Sequence, residues 1–111
     1  MEKYNVRFLE DALNDLEEIV MYIAQDNRAA AIKIHDEIVS KANDLSTFPR
    51  RGPAIPDTKM KRVGFRVLYI KPYIAFYRII DNDVFIYRVL HGAMNYPLLY
   101  EKMLNIVNDE G

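Results

Sequence analysis

Three consecutive β-strands, predicted at residues 63–70, 73–80 and 84–91, constrain the fold of this chain more than any other feature. Each segment is dense in β-branched and aromatic residues, which suit a pleated, partly buried surface. The short breaks Lys71-Pro72 and Asp81-Asn82-Asp83 predict antiparallel pairing between neighbours. Because arginines interrupt these apolar strands, we expect a sheet that packs against helices on one face and presents cations on the other.

The connection between the second and third strands decides how Arg78 and Arg88 are arranged. A three-residue loop at residues 81–83 would place Arg88 opposite Phe76 and leave both arginines on one face of the sheet. A two-residue turn at Asn82-Asp83 would put them on opposite faces. The sequence alone leaves both registers open.

A short strand and a helical hairpin are predicted before these three strands. Residues 4–9 form a strand that we expect at an edge of the sheet, because its backbone groups need partners. Apolar periodicity indicates a first helix over residues 12–25, capped by Asp11, and a second over residues 28–46, capped by residues 26–27. Their short connection predicts an antiparallel hairpin.

The two helices should each turn an apolar stripe towards the core. The stripe of the first helix comprises Leu13, Leu16, Ile19, Val20 and Ile23, and that of the second comprises Ala31, Ile34, Ile38, Ala42 and Leu45. Acidic residues at the start and on the outer face of the first helix are favoured by the helix dipole; they are Glu10, Asp11, Asp15, Glu17 and Glu18. Residues 48–53 form a loop, Pro53 and Pro56 favour an extended path, and residues 96–107 are predicted to form a last helix.

Composition limits the compartment and the class of protein. The chain has 111 residues and no cysteine, which excludes disulfides and thiolate zinc sites and fits a reducing cytoplasm. The longest apolar run, residues 19–24, is too short to cross a membrane, and the first residues do not resemble a signal peptide. We therefore expect one domain over residues 1–111, located in the cytoplasm and not in a membrane.

The net charge of −1 conceals an uneven distribution. Residues 1–48 hold five Lys/Arg against ten Asp/Glu, residues 49–91 hold nine against three, and residues 92–111 hold one against three. The basic middle segment predicts a local patch for an anionic partner, without the strongly basic character of a general nucleic-acid binder. The candidate anion- or target-binding residues are Arg50, Arg51, Lys59, Lys61, Arg62 and Arg78. The simpler interpretation for most basic residues is a solvated face paired with the acidic helices.

His91 ends the third strand beside Gly92, and its imidazole can transfer a proton near neutral pH. A strand-end histidine bonded to backbone is the simpler interpretation, and His35 is expected at the surface or in packing. Two distant histidines without cysteine form no metal motif, so we expect neither a metal nor another cofactor. Six tyrosines in the second half can stack bases or pack in the core, and packing is expected for Tyr69, Tyr73, Tyr77, Tyr87, Tyr96 and Tyr100.

Several segments, in their order along the chain, resemble the RelE/ParE superfamily of toxins from bacterial toxin–antitoxin modules. They are the acidic helix up to Asn27, Ala29-Ala30, Phe48-Pro49-Arg50-Arg51-Gly52, residues 73–78 and Arg88-Val89-Leu90-His91-Gly92. The resemblance implies an α+β fold of order β-α-α-β-β-β-α, with a twisted antiparallel sheet packed on an αα-hairpin. It also implies a cognate antitoxin that binds as a helix in an apolar groove or as an added strand, in a homodimer or a heterotetramer with the antitoxin.

Two activities occur in this superfamily. The RelE branch cleaves messenger RNA on the ribosome, and here the resemblance would make Arg66, Arg88, His91 and Tyr96 catalytic. The ParE branch poisons DNA gyrase and is not known to be enzymatic. Three positions lack the basic residue of the RelE pattern: Leu68, Ile74 and the segment Ala93-Met94-Asn95. These departures favour a ParE-like gyrase inhibitor; the alternatives are a ribosome-dependent endoribonuclease and a degenerate toxin that only binds its antitoxin.

Overall fold

The computed structural model describes residues 3–92 and 96–110, the last without its side chain. The elements are β1 (Asn5–Phe8), α1 (Glu10–Ala24), α2 (Arg28–Asn43), α3 (Thr58–Arg62), β2 (Arg66–Ile70), β3 (Tyr73–Ile80), β4 (Asp83–His91) and α4 (Tyr96–Glu110). A 3-10 turn, Asp44–Ser46, continues α2. The α+β class and the order β-α-α-β-β-β-α are confirmed, with the short helix α3 as an additional element.

The sheet has the strand order β1-β4-β3-β2. β2, β3 and β4 pair antiparallel, as their short connections predict. β1 lies at the edge beside β4, as expected, but the two strands run parallel. The sheet is therefore mixed, because the long connection from β1 to β4 returns the chain to the same end of the sheet.

The β3–β4 turn differs from both of the connections that the sequence left open. It is a two-residue turn, Asp81-Asn82, with Asp81 in the left-handed region at φ 55°. The register then shifts by one residue, with Tyr87 as the extra residue of a bulge, so that Arg88 lies opposite Phe76. This is the pairing that the longer loop would have produced, but a bulge produces it instead.

Helices cover both faces of the sheet. On one face the hairpin α1–α2 packs on the sheet, and side chains from both form one apolar cluster. Its members are Ala12, Leu16, Ile38, Ala42, Leu45, Leu68, Ile70, Ala75, Tyr77, Val84, Ile86 and Val89. On the other face the segment around α3, together with α4, completes a second cluster of Ile55, Met60, Phe65, Val67, Ile74, Phe76, Tyr87, Leu99 and Met103. The expectation that the second face presents cations is therefore wrong, because this apolar cluster occupies it.

The hairpin corrects several details of the predicted helices. α1 begins at Glu10 after Leu9, so Asp11 lies in the first turn and is not the N-cap. Leu13 is half exposed, whereas Asp15 is buried at 7% exposure and is not on the outer face. In α2 the predicted cap is confirmed, since the Ala30 N–H donates to the Asn27 side chain at 3.0 Å.

The helix α3 was missed because only an extended path was expected after Pro53 and Pro56. The side chain of Asp57 caps α3 by accepting a hydrogen bond from the Met60 N–H at 3.0 Å. An aspartate that follows a proline and precedes residues of good helix propensity is the signal that could have revealed it. Part of the segment is extended, since Ala54 forms a bridge with Arg66 at the edge of β2.

Replacement of Met103 by alanine tests whether α4 belongs to the folded core. Met103 is fully buried in the second cluster, so Met103→Ala should lower the free energy of unfolding by about 2–4 kcal/mol. Met21→Ala is the matched control, because Met21 is 61% exposed, and its effect should stay within about 0.5 kcal/mol. Urea denaturation followed by circular dichroism measures both; equal effects would show that α4 is not part of the cooperative core.

Candidate functional site

The arginines of β2 and β3 donate hydrogen bonds inside the molecule. Arg66 Nη1 donates to the carbonyl oxygen of Gly52 at 2.7 Å and reaches that of Arg50 at 3.4 Å. Arg78 Nε donates to the carbonyl oxygen of Val63, the residue that follows α3, at 2.7 Å. The Arg78 guanidinium also bonds the Tyr87 hydroxyl at 3.0 Å and lies 5.8 and 5.9 Å from the ring centres of Phe65 and Tyr87, two rings that contact each other edge-on. Both cations therefore stabilise loop and helix ends.

Arg88 on β4 forms a bidentate ion pair with Asp15 on α1. Arg88 Nε and Nη2 donate to the two carboxylate oxygens at 2.7 and 2.8 Å, and the Val89 N–H donates to the same carboxylate at 3.0 Å. The hydrogen bonding of Arg88 to this carboxylate raises the pKa of Arg88 above its ordinary value, despite partial burial. The sequence signal that was overlooked is that Asp15 follows Ala12 by three residues and precedes Leu16, on the face of α1 that is buried.

His91 ends β4, and Tyr96, the first residue of α4, contacts the residue that follows His91. The exposed His91 ring meets Tyr73 edge-on at 5.8 Å, and the Tyr96 hydroxyl donates to the carbonyl oxygen of Gly92. Arg66 instead contacts the loop that ends at Gly52, and Arg88 contacts α1. Of the four RelE-type candidates, His91 and Tyr96 therefore lie at the end of β4 with different contact partners, and the other two are directed elsewhere. The segment Ala93-Met94-Asn95 lies outside the described residues.

The loop of residues 48–52 is held from beneath by the buried side chain of Tyr77. Its hydroxyl donates to the carbonyl oxygen of Pro49 at 2.8 Å and accepts the Gly52 N–H at 3.0 Å. Burial raises the pKa of Tyr77 above its ordinary value, so the hydroxyl keeps the proton it donates. Gly52 lies so close to β2 that a Cβ there would stand 2.0 Å from the carbonyl oxygen of Val67. The backbone of this loop is therefore fixed by core groups.

The remaining basic candidates are exposed on two separate elements. Arg50 and Arg51 point outwards from the loop, and Arg51 makes a 3.4 Å ion pair with Asp44 while its guanidinium lies 5.9 Å from the Phe48 ring centre. On α3, Lys61 is exposed. Lys59 and Arg62 line an open groove of about 840 Å³ between α3 and α4, which also contains the carboxylates of Asp57 and Glu101. The groove is therefore of mixed charge.

The tyrosines and histidines follow the packing interpretation in part. Tyr77 and Tyr87 are buried, whereas Tyr69 is exposed. His35 is exposed on α2 and pairs with Asp36 at 3.1 Å. Within the described residues, no group of three or more histidine, cysteine, aspartate or glutamate side chains is arranged to hold a metal ion. None of the described helices is long and apolar enough to span a membrane.

Comparison with known proteins relates this fold to bacterial toxins. The sequence model of the family described as the ParE toxin of the type II toxin–antitoxin system parDE matches residues 6–96. Toxin ParE3 of Caulobacter vibrioides is 34% identical over 83 residues, covering 73% of this chain and 79% of that protein. Putative toxin Y4kP of Sinorhizobium fredii is 32% identical over 97 residues, covering 87% and 97%.

Two solved structures have a similar fold. A chain of the chromosomal ParDE system from P. aeruginosa superposes with a TM-score of 0.66 at 22% identity, covering 80% of this chain and 96% of that one. A chain of the RelBE2 toxin–antitoxin complex from Mycobacterium tuberculosis superposes with a TM-score of 0.62 at 28% identity, covering 82% and 93%. The fold is that of RelE/ParE superfamily toxins. Within that superfamily, the chain belongs to the ParE toxin family of type II toxin–antitoxin systems.

Removal of the Asp15 carboxylate should destabilise the fold, because Arg88 would be left without its partner. We expect Asp15→Asn to lower the free energy of unfolding by about 2–3 kcal/mol, allowing for the quarter of Arg88 that solvent reaches. Glu17→Gln removes an exposed charge on the same helix and should change stability by less than about 0.5 kcal/mol. Urea denaturation of both variants checks this, and a neutral Asp15→Asn would refute a structural role for the pair.

Removal of the Tyr77 hydroxyl should weaken the attachment of the loop. Tyr77→Phe leaves the Pro49 carbonyl and the Gly52 N–H without their partner, and should cost about 1–3 kcal/mol of stability. Tyr69→Phe is the control, because Tyr69 is exposed on β2. Amide hydrogen exchange provides a local measurement: the Gly52 amide should exchange faster in Tyr77→Phe alone, and unchanged protection would contradict the assignment.

Proposed function

We propose that this ParE-family toxin arrests growth by poisoning DNA gyrase and that a cognate antitoxin neutralises it. The observation that carries the proposal is the internal use of the strand arginines. Arg88 is already neutralised by Asp15, and Arg66 already donates to backbone carbonyls. A protein whose strand cations are engaged in this way is better suited to act by binding than by cleaving RNA.

The chemistry of phosphodiester cleavage explains why these contacts matter. Charge that develops on the phosphate must be met by cations with free donors aimed at it. Arg88 Nε and Nη2 already donate to Asp15, so these two nitrogens are not available to a phosphate. The Asp15 carboxylate also cancels the positive charge that would attract one. Arg66 donates its hydrogen bonds to the loop of residues 48–52 and not to the end of β4, where His91 and Tyr96 lie. These contacts support the proposal of gyrase poisoning over that of RNA cleavage.

An antitoxin partner is supported by the solved relatives, whose titles describe toxin–antitoxin systems. The hairpin packs directly on the sheet, and its large exposed apolar side chains lie outside that contact; they are Leu13, Met21, Tyr22 and Ile32. We propose that the toxin is stored in the cytoplasm as a complex with its antitoxin. The assembly is a heterotetramer with the antitoxin, and the alternative for the toxin itself is a homodimer. No further cofactor is needed for a toxin that acts by binding.

The second candidate function is ribosome-dependent cleavage of messenger RNA. One observation favours it: an exposed histidine at a strand end, beside the Tyr73 ring and close to Tyr96. A histidine next to aromatic rings can stack a base and move a proton. In this chain the site would then consist of His91, Tyr73 and Tyr96, with little help from Arg66 or Arg88.

Two exposed histidines distinguish the functions in cells. The toxin is expressed from an inducible promoter without antitoxin, and the incorporation of labelled thymidine and methionine is followed for the first minutes. Under the proposal, DNA synthesis falls before protein synthesis, and His91→Ala and His35→Ala both remain toxic, since neither imidazole does chemistry.

The outcome that contradicts the proposal is equally specific. If protein synthesis falls first and His91→Ala alone restores growth, the ribonuclease function replaces gyrase poisoning. If neither synthesis falls although the protein is soluble and folded, the chain is a degenerate toxin that retains only antitoxin binding.

A further inference from the structure

The loop of residues 48–51 presents a small exposed surface that combines one aromatic ring with two cations. Phe48 is 57% exposed, and Arg50 and Arg51 are exposed beside it. The stack of Arg51 on Phe48 and its ion pair with Asp44 hold this guanidinium in place. We call these three side chains the loop surface. The part of the chain that the structure describes gives Phe48 no place in either apolar cluster.

The backbone beneath the loop surface is fixed, as the hydrogen bonds of Tyr77 and Arg66 show. Because Gly52 packs against the Val67 carbonyl, the end of the loop cannot shift towards β2. A rigid surface loses little conformational entropy when a partner binds, so a small set of contacts can yield useful affinity.

The composition of the loop surface indicates the class of partner. Aromatic residues and arginine are the types most enriched at the energetic centres of protein–protein interfaces. A neighbouring cleft of about 520 Å³ adds Lys41 and Tyr69 beside Arg51, with Asp44 as its carboxylate. The local charge is positive but small, and the whole chain carries −1, which is weak for contacts to a phosphate backbone. An acidic protein segment with an apolar side chain fits this combination.

We propose that the loop surface docks on an acidic, partly apolar segment of the toxin's folded target protein. This inference rests on the proposed function, in which that target is DNA gyrase. A preformed surface of three side chains suits docking onto a folded protein, where both backbones move little. A segment that folds on binding, as an antitoxin tail would, instead gains its affinity by wrapping a large surface. The apolar ring of Phe48 and the cation of Arg50 make the main contact, because the third side chain, Arg51, is already paired with Asp44.

The test uses purified bacterial DNA gyrase with supercoiled plasmid, and measures the linear DNA that each toxin variant traps. The double variant F48A/R50E should require about tenfold more protein, or more, than the wild type for the same trapping. L98A/R28E is the matched control, because it makes the same two kinds of change, a large apolar side chain to alanine and an arginine to glutamate, at exposed positions of α4 and α2, and it should trap as the wild type does. Arg50→Lys retains the charge and should keep most of the activity. Thermal melting of each variant confirms that it is folded.

The outcomes separate this inference from the function on which it rests. A wild-type toxin that traps no cleaved DNA overturns the gyrase proposal and the loop surface with it. A wild-type toxin that traps DNA together with a fully active F48A/R50E overturns the loop surface alone. If F48A/R50E loses affinity for a labelled DNA duplex in the absence of gyrase, measured by fluorescence anisotropy, the loop contacts nucleic acid and the acidic protein segment is wrong.

Discussion

Burial of both faces of one four-stranded sheet is the constraint on which the rest of the molecule depends. The hairpin covers one face, and α4 with the segment around α3 covers the other. An arginine in such a sheet must find partners inside the protein or reach round an edge, because an unpaired buried charge is strongly unfavourable. Arg66, Arg78 and Arg88 all find partners in carbonyls, a hydroxyl or a carboxylate. Their side chains therefore organise the connections around the sheet.

The edge of the sheet beside β1 shows how one such contact takes part in the architecture. β1 ends at Phe8, opposite Ile86, while β4 continues to His91. Beyond the end of β1, the carboxylate of Asp15 accepts the Val89 N–H that a longer strand would have accepted. The same carboxylate holds Arg88 just after the bulge at Tyr87. The single carboxylate of Asp15 thus accepts hydrogen bonds from the unpaired backbone at the edge of β4 and from the arginine beside the bulge.

The internal hydrogen bonds of the strand arginines also decide which surfaces remain available to a partner. With Arg66, Arg78 and Arg88 engaged internally, the exposed cations of the segment between α2 and β2 lie on the loop of residues 48–52 and on α3. The loop rests on Tyr77, whose hydroxyl bonds both of its ends, whereas α3 borders a groove of mixed charge. A binding function for the toxin is therefore compatible with its core: the groups that stabilise the fold also position the residues available outside it.

The sequence by itself determined the order of the elements and all of them except the short helix α3. Period-two runs of β-branched residues, the Asn27 cap and the apolar spacing of α2 are local signals, and local chemistry is sufficient to interpret them. The same applies to the family resemblance, which depends on residue identities in order. Tertiary structure alone decided the parallel pairing of β1, the bulge at Tyr87 and the burial of Asp15, because each depends on a partner distant in sequence. Asp15 and Arg88 are 73 residues apart, and no local pattern indicates that an acid on a helix will meet an arginine on a strand. The role of the arginines was misjudged for this reason: residue type predicts a cation, but only packing decides whether its charge is available to a partner.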